Sequence, residues 1–160
     1  MILIPAQAGF LGKRNDILAY MSTVSNQTKL LVIIGVLSVL LATVHHVALS
    51  YSLYYVAPRI DMIPHFLGGF VSVLIVLWVV RFMWLGAGIV SPLSDMQVLV
   101  IVFFSAAIVG ALWEIFEYLA GLRITANYPL DTAKDLIMDM LGGMGVYWVF
   151  IHTKFRSMLQ

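Results

Sequence analysis

The sequence predicts an all-α, polytopic integral membrane protein in which four transmembrane helices form a bundle behind an N-terminal interfacial segment. Hydrophobic residues make up 62% of the 160 residues and charged residues only 11%, and the mean hydropathy is +1.00. Soluble domains carry roughly 25% charged residues. Long apolar runs, each close to the roughly 20 residues that a bilayer core requires, alternate with short polar segments. The chain therefore lacks the charged surface of a water-soluble fold.

The composition also excludes several classes of function. A net charge of +1 gives no reason to expect a nucleic-acid partner. The chain has no cysteine, which excludes disulfides, thiolate metal sites and thiol nucleophiles. The lipid bilayer is the predicted partner, and a homo-oligomer or a larger membrane complex stays open.

Residues 1–28 are predicted to form a cytoplasmic or interfacial segment. They do not resemble a cleaved signal peptide, because Lys13 and Arg14 follow the opening apolar residues instead of preceding them. The transmembrane domain is predicted to cover residues 29–153, and its first helix, at about 30–55, carries no formal charge. The one polar spot in that helix is His45 and His46.

Three further helices are predicted from the remaining apolar runs. The second covers about 63–84, before a segment rich in glycine and proline. The third covers about 97–119, carries Glu114 and Glu117 near its end, and stops at Gly121. The fourth covers about 132–151, with Asp135 and Asp139 in its first turns, and residues 154–160 form a cytoplasmic tail.

The distribution of basic residues predicts the orientation. With a cytoplasmic N-terminus, six Lys and Arg residues lie on the cytoplasmic side and three on the other. We therefore expect a multi-pass protein of the plasma (inner) membrane with both termini in the cytoplasm. The six are Lys13, Arg14, Lys29, Arg81, Lys154 and Arg156, and the three are Arg59, Arg123 and Lys134.

Four crossings bring nearly every acidic residue to one membrane face. Four helix ends meet at that face: the end of helix one, the start of helix two, the end of helix three and the start of helix four. Only Asp16 and Asp95 fall elsewhere. The acids and histidines that converge are His45, His46, Asp61, His65, Glu114, Glu117, Asp131, Asp135 and Asp139.

The spacing of these residues indicates a divalent-metal site. On helices two, three and four, these acids and histidines are three or four residues apart and so share one face. The groups are Asp61 with His65, Glu114 with Glu117, and Asp131 with Asp135 and Asp139. Carboxylates suit Mg²⁺ or Mn²⁺, and an imidazole adds affinity for Zn²⁺ or Fe²⁺. The predicted metal ligands are His65, Glu114, Glu117, Asp131 and Asp135. Shared protons, or ion pairs with Arg59, Arg123 or Lys134, are alternative ways to neutralise the acids.

Paired glycines predict where helices two and four approach each other. Gly68 and Gly69 face Gly142, Gly143 and Gly145 in this arrangement, and small residues let two backbones come close. We expect this contact to bring Asp139 toward His65.

Three blocks of sequence resemble the YjdF-like small bacterial inner-membrane proteins and, more distantly, the VanZ-like proteins. In words they are D-x-x-x-H-F-x-x-G-F from Asp61, E-x-x-E from Glu114, and D-T-x-x-D from Asp131 with a downstream glycine. The resemblance covers roughly residues 58–145. It implies a polytopic membrane fold and marks His65, Glu114, Glu117, Asp131 and Asp135 as motif positions. VanZ-like proteins are associated with glycopeptide resistance, but this chain departs from them in its E-x-x-E pair and in Asp139.

Three functions remain open on the sequence. The first is a metal-dependent hydrolase or transferase that acts on a lipid-like or phosphate-bearing substrate, with Glu117 or Asp139 as general base and with Arg59 or Arg123 binding an anionic group. The second is a small structural or accessory subunit in which the polar cluster joins the helices. The third is a cation or proton transporter, which requires polar residues that continue to the other face.

Overall fold

A computed structural model describes residues 5–84, 93–121 and 127–153, and within these ranges the chain is helical without any strand. We number the four long helices α1 (Pro5–Ser50), α2 (Met62–Trp78), α3 (Asp95–Ala120) and α4 (Tyr128–His152). A short helix, Leu53–Val56, and a 3-10 turn, Pro58–Asp61, connect α1 to α2. The predicted all-α fold is confirmed over the described ranges.

The first helix is longer than the sequence analysis predicts. We expected an interfacial segment up to residue 28 and a helix at about 30–55, whereas α1 is continuous from Pro5 to Ser50. Polar residues near residue 28 do not interrupt it, because the Thr28 hydroxyl donates to the carbonyl of Val24 at 3.0 Å within the helix. Ser52, in the left-handed region at φ 54°, follows the end of the helix. The assignment of residues 1–28 to a separate segment stays a prediction.

The bounds of α2 and α3 agree closely with the prediction. A π-helical turn, Val79–Trp84, extends α2 to the predicted end at residue 84. Ser94 caps α3: its hydroxyl accepts from the Gln97 amide at 3.2 Å, and its own amide donates to the Gln97 side chain at 2.9 Å. Gly121 ends α3 with φ 71°, as the sequence predicts.

Within the described ranges, three helical segments are long and apolar enough to cross a membrane: Val24–Ser50, Pro58–Met83 and Asp95–Ala120. The fourth helix, α4, carries Asp131, Lys134, Asp135 and Asp139 in its first half. Its run without Asp, Glu, Lys or Arg, from Met140 onward, is shorter than the roughly 20 residues of a typical span. A crossing by α4 therefore stays a prediction.

The second helix, α2, is the centre of the bundle and packs against α4, α3 and α1. The tightest contact lies between α2 and α4. A Cβ added at Gly69 would collide with the carbonyl oxygen of Asp139, and one added at Gly142 would collide with the carbonyl oxygen of Phe66. The predicted glycine contact between these helices is thus confirmed. Next to this contact lies an apolar core to which all four long helices contribute: Leu30 and Ile34 from α1, Val73 and Leu77 from α2, Val102 from α3, and Val146 and Phe150 from α4.

Replacing Gly69 with alanine should destabilise the protein by about 1–3 kcal/mol, because the new methyl group forces α2 and α4 apart. Gly68→Ala is the matched control, since a Cβ there meets only the Asp139 side chain at 3.8 Å. Unfolding of both variants in detergent measures the difference. Equal stability of the two variants would contradict the close contact.

Single cysteines test whether α4 crosses the membrane, since the natural chain has none. We expect an impermeant maleimide to label Tyr55→Cys in right-side-out vesicles, because Tyr55 lies between two spans and is 72% exposed. Ile17→Cys and Thr153→Cys should react only after detergent is added. Labelling of Thr153→Cys in intact vesicles would mean that α4 does not cross.

Candidate functional site

His65 is buried near the start of α2, between two aspartates of α4. Its Nδ1 atom lies 3.3 Å from Oδ2 of Asp139, and its Nε2 atom lies 3.9 Å from Oδ1 of Asp135. The two aspartates are four residues apart, so one helix face presents both to the same imidazole. Both are buried, and His65 therefore joins α2 to α4 through polar contacts inside the bundle.

Glu114 is the buried acid of α3 and faces the same space. Its Oε2 atom accepts a hydrogen bond from the Thr132 hydroxyl at 2.7 Å, and its main-chain carbonyl accepts from the Tyr128 hydroxyl at 3.0 Å. Its Oε1 atom is buried and has no hydrogen-bond partner among the described residues. A buried carboxylate oxygen without a partner lowers the stability of the fold unless a cation or a proton binds to it.

Asp61 and Glu117 complete the group, which we call the acidic cluster: Asp61, His65, Glu114, Glu117, Asp135 and Asp139. Two subsets place one possible ligand atom from each residue within 4.8 Å of the others. One subset is Asp61, His65 and Asp135, and the other is His65, Glu114 and Glu117. His65 belongs to both. Each subset thus offers one imidazole nitrogen and two carboxylates to a single ion.

Among the described residues, no lysine or arginine forms an ion pair with the carboxylates of the acidic cluster. Arg59 and Lys134, which the sequence offers as neutralising partners, are exposed. Arg123 lies outside the described residues. Of the basic side chains that the structure describes, His65 alone lies within ion-pair distance of these carboxylates. Five carboxylates around one imidazole leave an excess of negative charge, which favours a bound cation or shared protons.

The structure brings together most of the predicted site residues. Four of the five predicted metal ligands, His65, Glu114, Glu117 and Asp135, belong to the subsets described above. Asp131 is half-buried and belongs to neither subset. Asp61 was missing from the predicted ligand set, although its position four residues before His65 is a signal that could have placed it there.

His45 lies close to the acidic cluster, whereas His46 is exposed. The Tyr54 hydroxyl is 2.9 Å from Nδ1 of His45, and the imidazole meets the Trp113 ring edge-on. Burial, together with the negative charge of Asp61 and Glu117, raises the pKa of Tyr54 to about 12, so its hydroxyl stays protonated. Of these two adjacent histidines, His45 is thus the one that packs against other helices.

A cavity of about 450 Å³ leads away from the acidic cluster between α1, α2 and α3. One end is polar and includes Asp61, His65, Glu117 and Asp139, with His45 opposite them. The remaining wall is mostly apolar. Sequence patterns alone did not reveal this cavity, because it depends on the angle between α1 and its neighbours. Its other lining residues are Ser38, Leu41, Ala42, Pro64, Gly68, Val71, Ser72, Ile75, Val109, Gly110 and Trp113.

Apolar helices that enclose buried carboxylates, a histidine and a cavity define an α-helical membrane protein with an internal polar site. The chain matches the family described as a predicted membrane protein (DUF2238) over residues 17–155, and it belongs to this family. No curated protein and no solved structure matches it. The family match supports the membrane-protein part of the resemblance noted above, and the narrower YjdF-like and VanZ-like resemblances stay predictions.

Thr132→Val should destabilise the bundle by about 1–3 kcal/mol, because it removes the hydrogen bond to Glu114 and leaves a buried carboxylate without that partner. Thr43→Val is the matched control, since the Thr43 hydroxyl bonds only to the Val39 carbonyl of its own exposed helix face. Chemical unfolding in detergent compares the two. A larger loss for Thr43→Val would contradict a stabilising role for the Glu114 contact.

Proposed function

We propose that the acidic cluster binds a divalent cation and that the protein is a membrane-embedded, metal-dependent hydrolase or transferase. Its substrate is lipid-like or bears a phosphate. The observation that carries this proposal is the Oε1 atom of Glu114, which is buried beside His65 and Glu117 and has no partner in the part of the chain that the structure describes. The excess of carboxylates over basic partners supports the same conclusion.

The contacts of His65 suggest how it would bind the ion. The carboxylate of Asp139 lies at Nδ1 and can accept a hydrogen bond from the Nδ1–H group. That bond would fix the tautomer in which Nε2 carries no hydrogen and is free to bind the ion. Metal-binding histidines commonly have a carboxylate in this position. Glu114, Glu117, Asp61 and Asp135 would supply oxygen ligands, and Asp131 would act from the edge of the site. Mg²⁺, Mn²⁺, Zn²⁺ and Fe²⁺ all suit such a donor set.

The remaining predicted residues have distinct roles in this proposal. When bound, the cation would polarise a substrate oxygen and lower the pKa of a water molecule. Glu117 faces the cavity and would accept a proton as general base, whereas Asp139 would hold His65 in place and is the second candidate base. Arg59, three residues from the end of the short helix Leu53–Val56, and Arg123 would meet an anionic group of the substrate.

A structural or accessory role is the second candidate, and specific contacts favour it. His65 with Asp139 joins α2 to α4, and Thr132 with Glu114 joins α3 to α4. A cluster of this kind can hold helices together without any chemistry. A transport role has less support, because the polar lining of the cavity beyond the cluster consists of Ser38 and Ser72.

The same proposal includes the cellular setting. The protein would reside in the plasma membrane with both termini in the cytoplasm, so that the acidic cluster faces the extracytoplasmic side. It would act alone, as a homo-oligomer or within a larger membrane complex.

Elemental analysis of the purified protein by ICP-MS, after a wash with a weak chelator, tests the proposal. We expect stoichiometric divalent metal in the natural protein. A Glu114→Gln/Asp135→Asn double variant should lose it, because one ligand disappears from each subset. Asp95→Asn is the matched control, since Asp95 begins α3 at the end opposite to Glu114.

Metal retained by Asp95→Asn and lost from the double variant would support a site at the acidic cluster. Folded natural protein without metal would refute the metalloenzyme proposal and favour the structural role. Circular dichroism of each variant shows whether it remains folded.

A further inference from the structure

We propose that the cavity binds the hydrocarbon chain of a single-chain lipid whose phosphate head group lies at the acidic cluster. This inference rests on the proposed function, because a bound cation would offset the repulsion between a phosphate and the carboxylates of the acidic cluster. Among lipid-like and phosphate-bearing substrates, the proposed class is single-chain lipids with a phosphate head group.

The cavity is polar at the end near the membrane interface and mostly apolar toward the membrane interior, which is the polarity that a bound lipid requires. On α2 and the turn before it, the lining begins at Asp61 and continues to Ile75, a distance of about 21 Å at the rise of an α-helix. The Asp61 end lies near the start of the candidate span Pro58–Met83, and the Ile75 end lies well inside it. A lipid in this cavity would therefore keep its head group near the interface and its chain in the hydrocarbon core.

The side walls show the same change of polarity. On α3, the lining runs from Glu117 to Val109, about 12 Å deeper in the membrane. On α1, it runs from His45 at the polar end past the apolar Ala42 and Leu41, and it ends at Ser38, a polar side chain in a mostly apolar interior. The walls therefore combine a polar end, which suits a head group, with an apolar interior, which suits a chain.

The cavity is open to the side, between α1 and α3. Helix α1 packs on α2 and makes few contacts with α3. Ala42 of α1 and Val109 of α3 both line the cavity and are exposed, and the Trp113 side chain beside them is 40% exposed. A lipid can thus enter from the bilayer without leaving its normal depth.

The dimensions of the cavity fit one hydrocarbon chain. A volume of about 450 Å³ along about 21 Å gives a mean cross-section of about 20 Å². This cross-section is close to that of one extended hydrocarbon chain and about half of what two chains side by side would need. Each buried methylene group also adds to the affinity through the hydrophobic effect.

Native mass spectrometry on the detergent-solubilised, metal-loaded full chain tests the proposal. The probes are oleoyl lysophosphatidate, with one chain and a phosphate, and dioleoyl phosphatidate, with two chains. We expect the one-chain lipid to bind at least about tenfold more tightly than the two-chain lipid. Equal or tighter binding of the two-chain lipid would overturn the proposal.

Ala42→Trp should weaken lysophosphatidate binding by at least about tenfold, because the indole fills the lateral opening. Val39→Trp is the matched control, since Val39 lies on the same helix, is 67% exposed and does not line the cavity. Val109→Trp should fill the same opening from the side of α3. This variant is tested instead if Ala42→Trp does not fold. Unchanged binding in both cavity variants would overturn the proposal.

Metal content measured on the same samples separates this inference from the proposed function. Metal bound without lysophosphatidate binding would overturn the lipid inference alone. If the protein holds no metal, that result refutes both the proposed function and the placement of the phosphate at the acidic cluster. Binding of the uncharged one-chain lipid monooleoylglycerol, blocked by Ala42→Trp but not by Val39→Trp, would then show that the cavity still takes a chain.

Discussion

The close contact between the backbones of α2 and α4 is the constraint on which the rest of the structure depends. Gly69 meets the main chain of Asp139, and Gly142 meets the main chain of Phe66. Because the crossing point includes Asp139 itself, its side chain has only one direction in which to project, toward His65 and Gly110. The acidic cluster is therefore a consequence of helix packing and not a separate addition to the fold.

The same contact explains why so many acids can be buried in an apolar bundle. An isolated charge deep in a bilayer costs about 2.5–3.5 kcal/mol on insertion scales. The protein reduces this cost by placing the His65 imidazole between Asp135 and Asp139 and by giving Glu114 the Thr132 hydroxyl as a donor. It does not supply lysine or arginine partners among the described residues. What compensates the remaining charge is therefore the central question about this protein.

The sequence predicted most of the fold because its information is local. Apolar runs and the stop at Gly121 mark helix ends without reference to other helices. The convergence of the acids was also predictable, since alternating crossings determine which helix ends meet. The continuous α1 was not predicted, because a polar stretch such as the one before Leu30 is compatible with either a helix or a connection.

Details of the site were less predictable because they depend on helix rotation and crossing angle. Spacing placed Asp135 and Asp139 on one face, but only the packed structure shows that they flank His65 on two different nitrogens. Periodicity likewise gave no indication that Tyr54 lies beside His45, or that Thr132 reaches Glu114. The cavity is a property of three helices together, and no single segment of the sequence encodes it.

The attachment of α1 has a mechanical consequence. This helix rests mainly on α2 and adds Leu30 and Ile34 to the core that α2, α3 and α4 share. The gap beside Ala42 and Val109 lies farther along α1 and outside that core. A change in the distance between α1 and α3 at this gap would therefore leave in place the crossing at Gly69, which positions the acids.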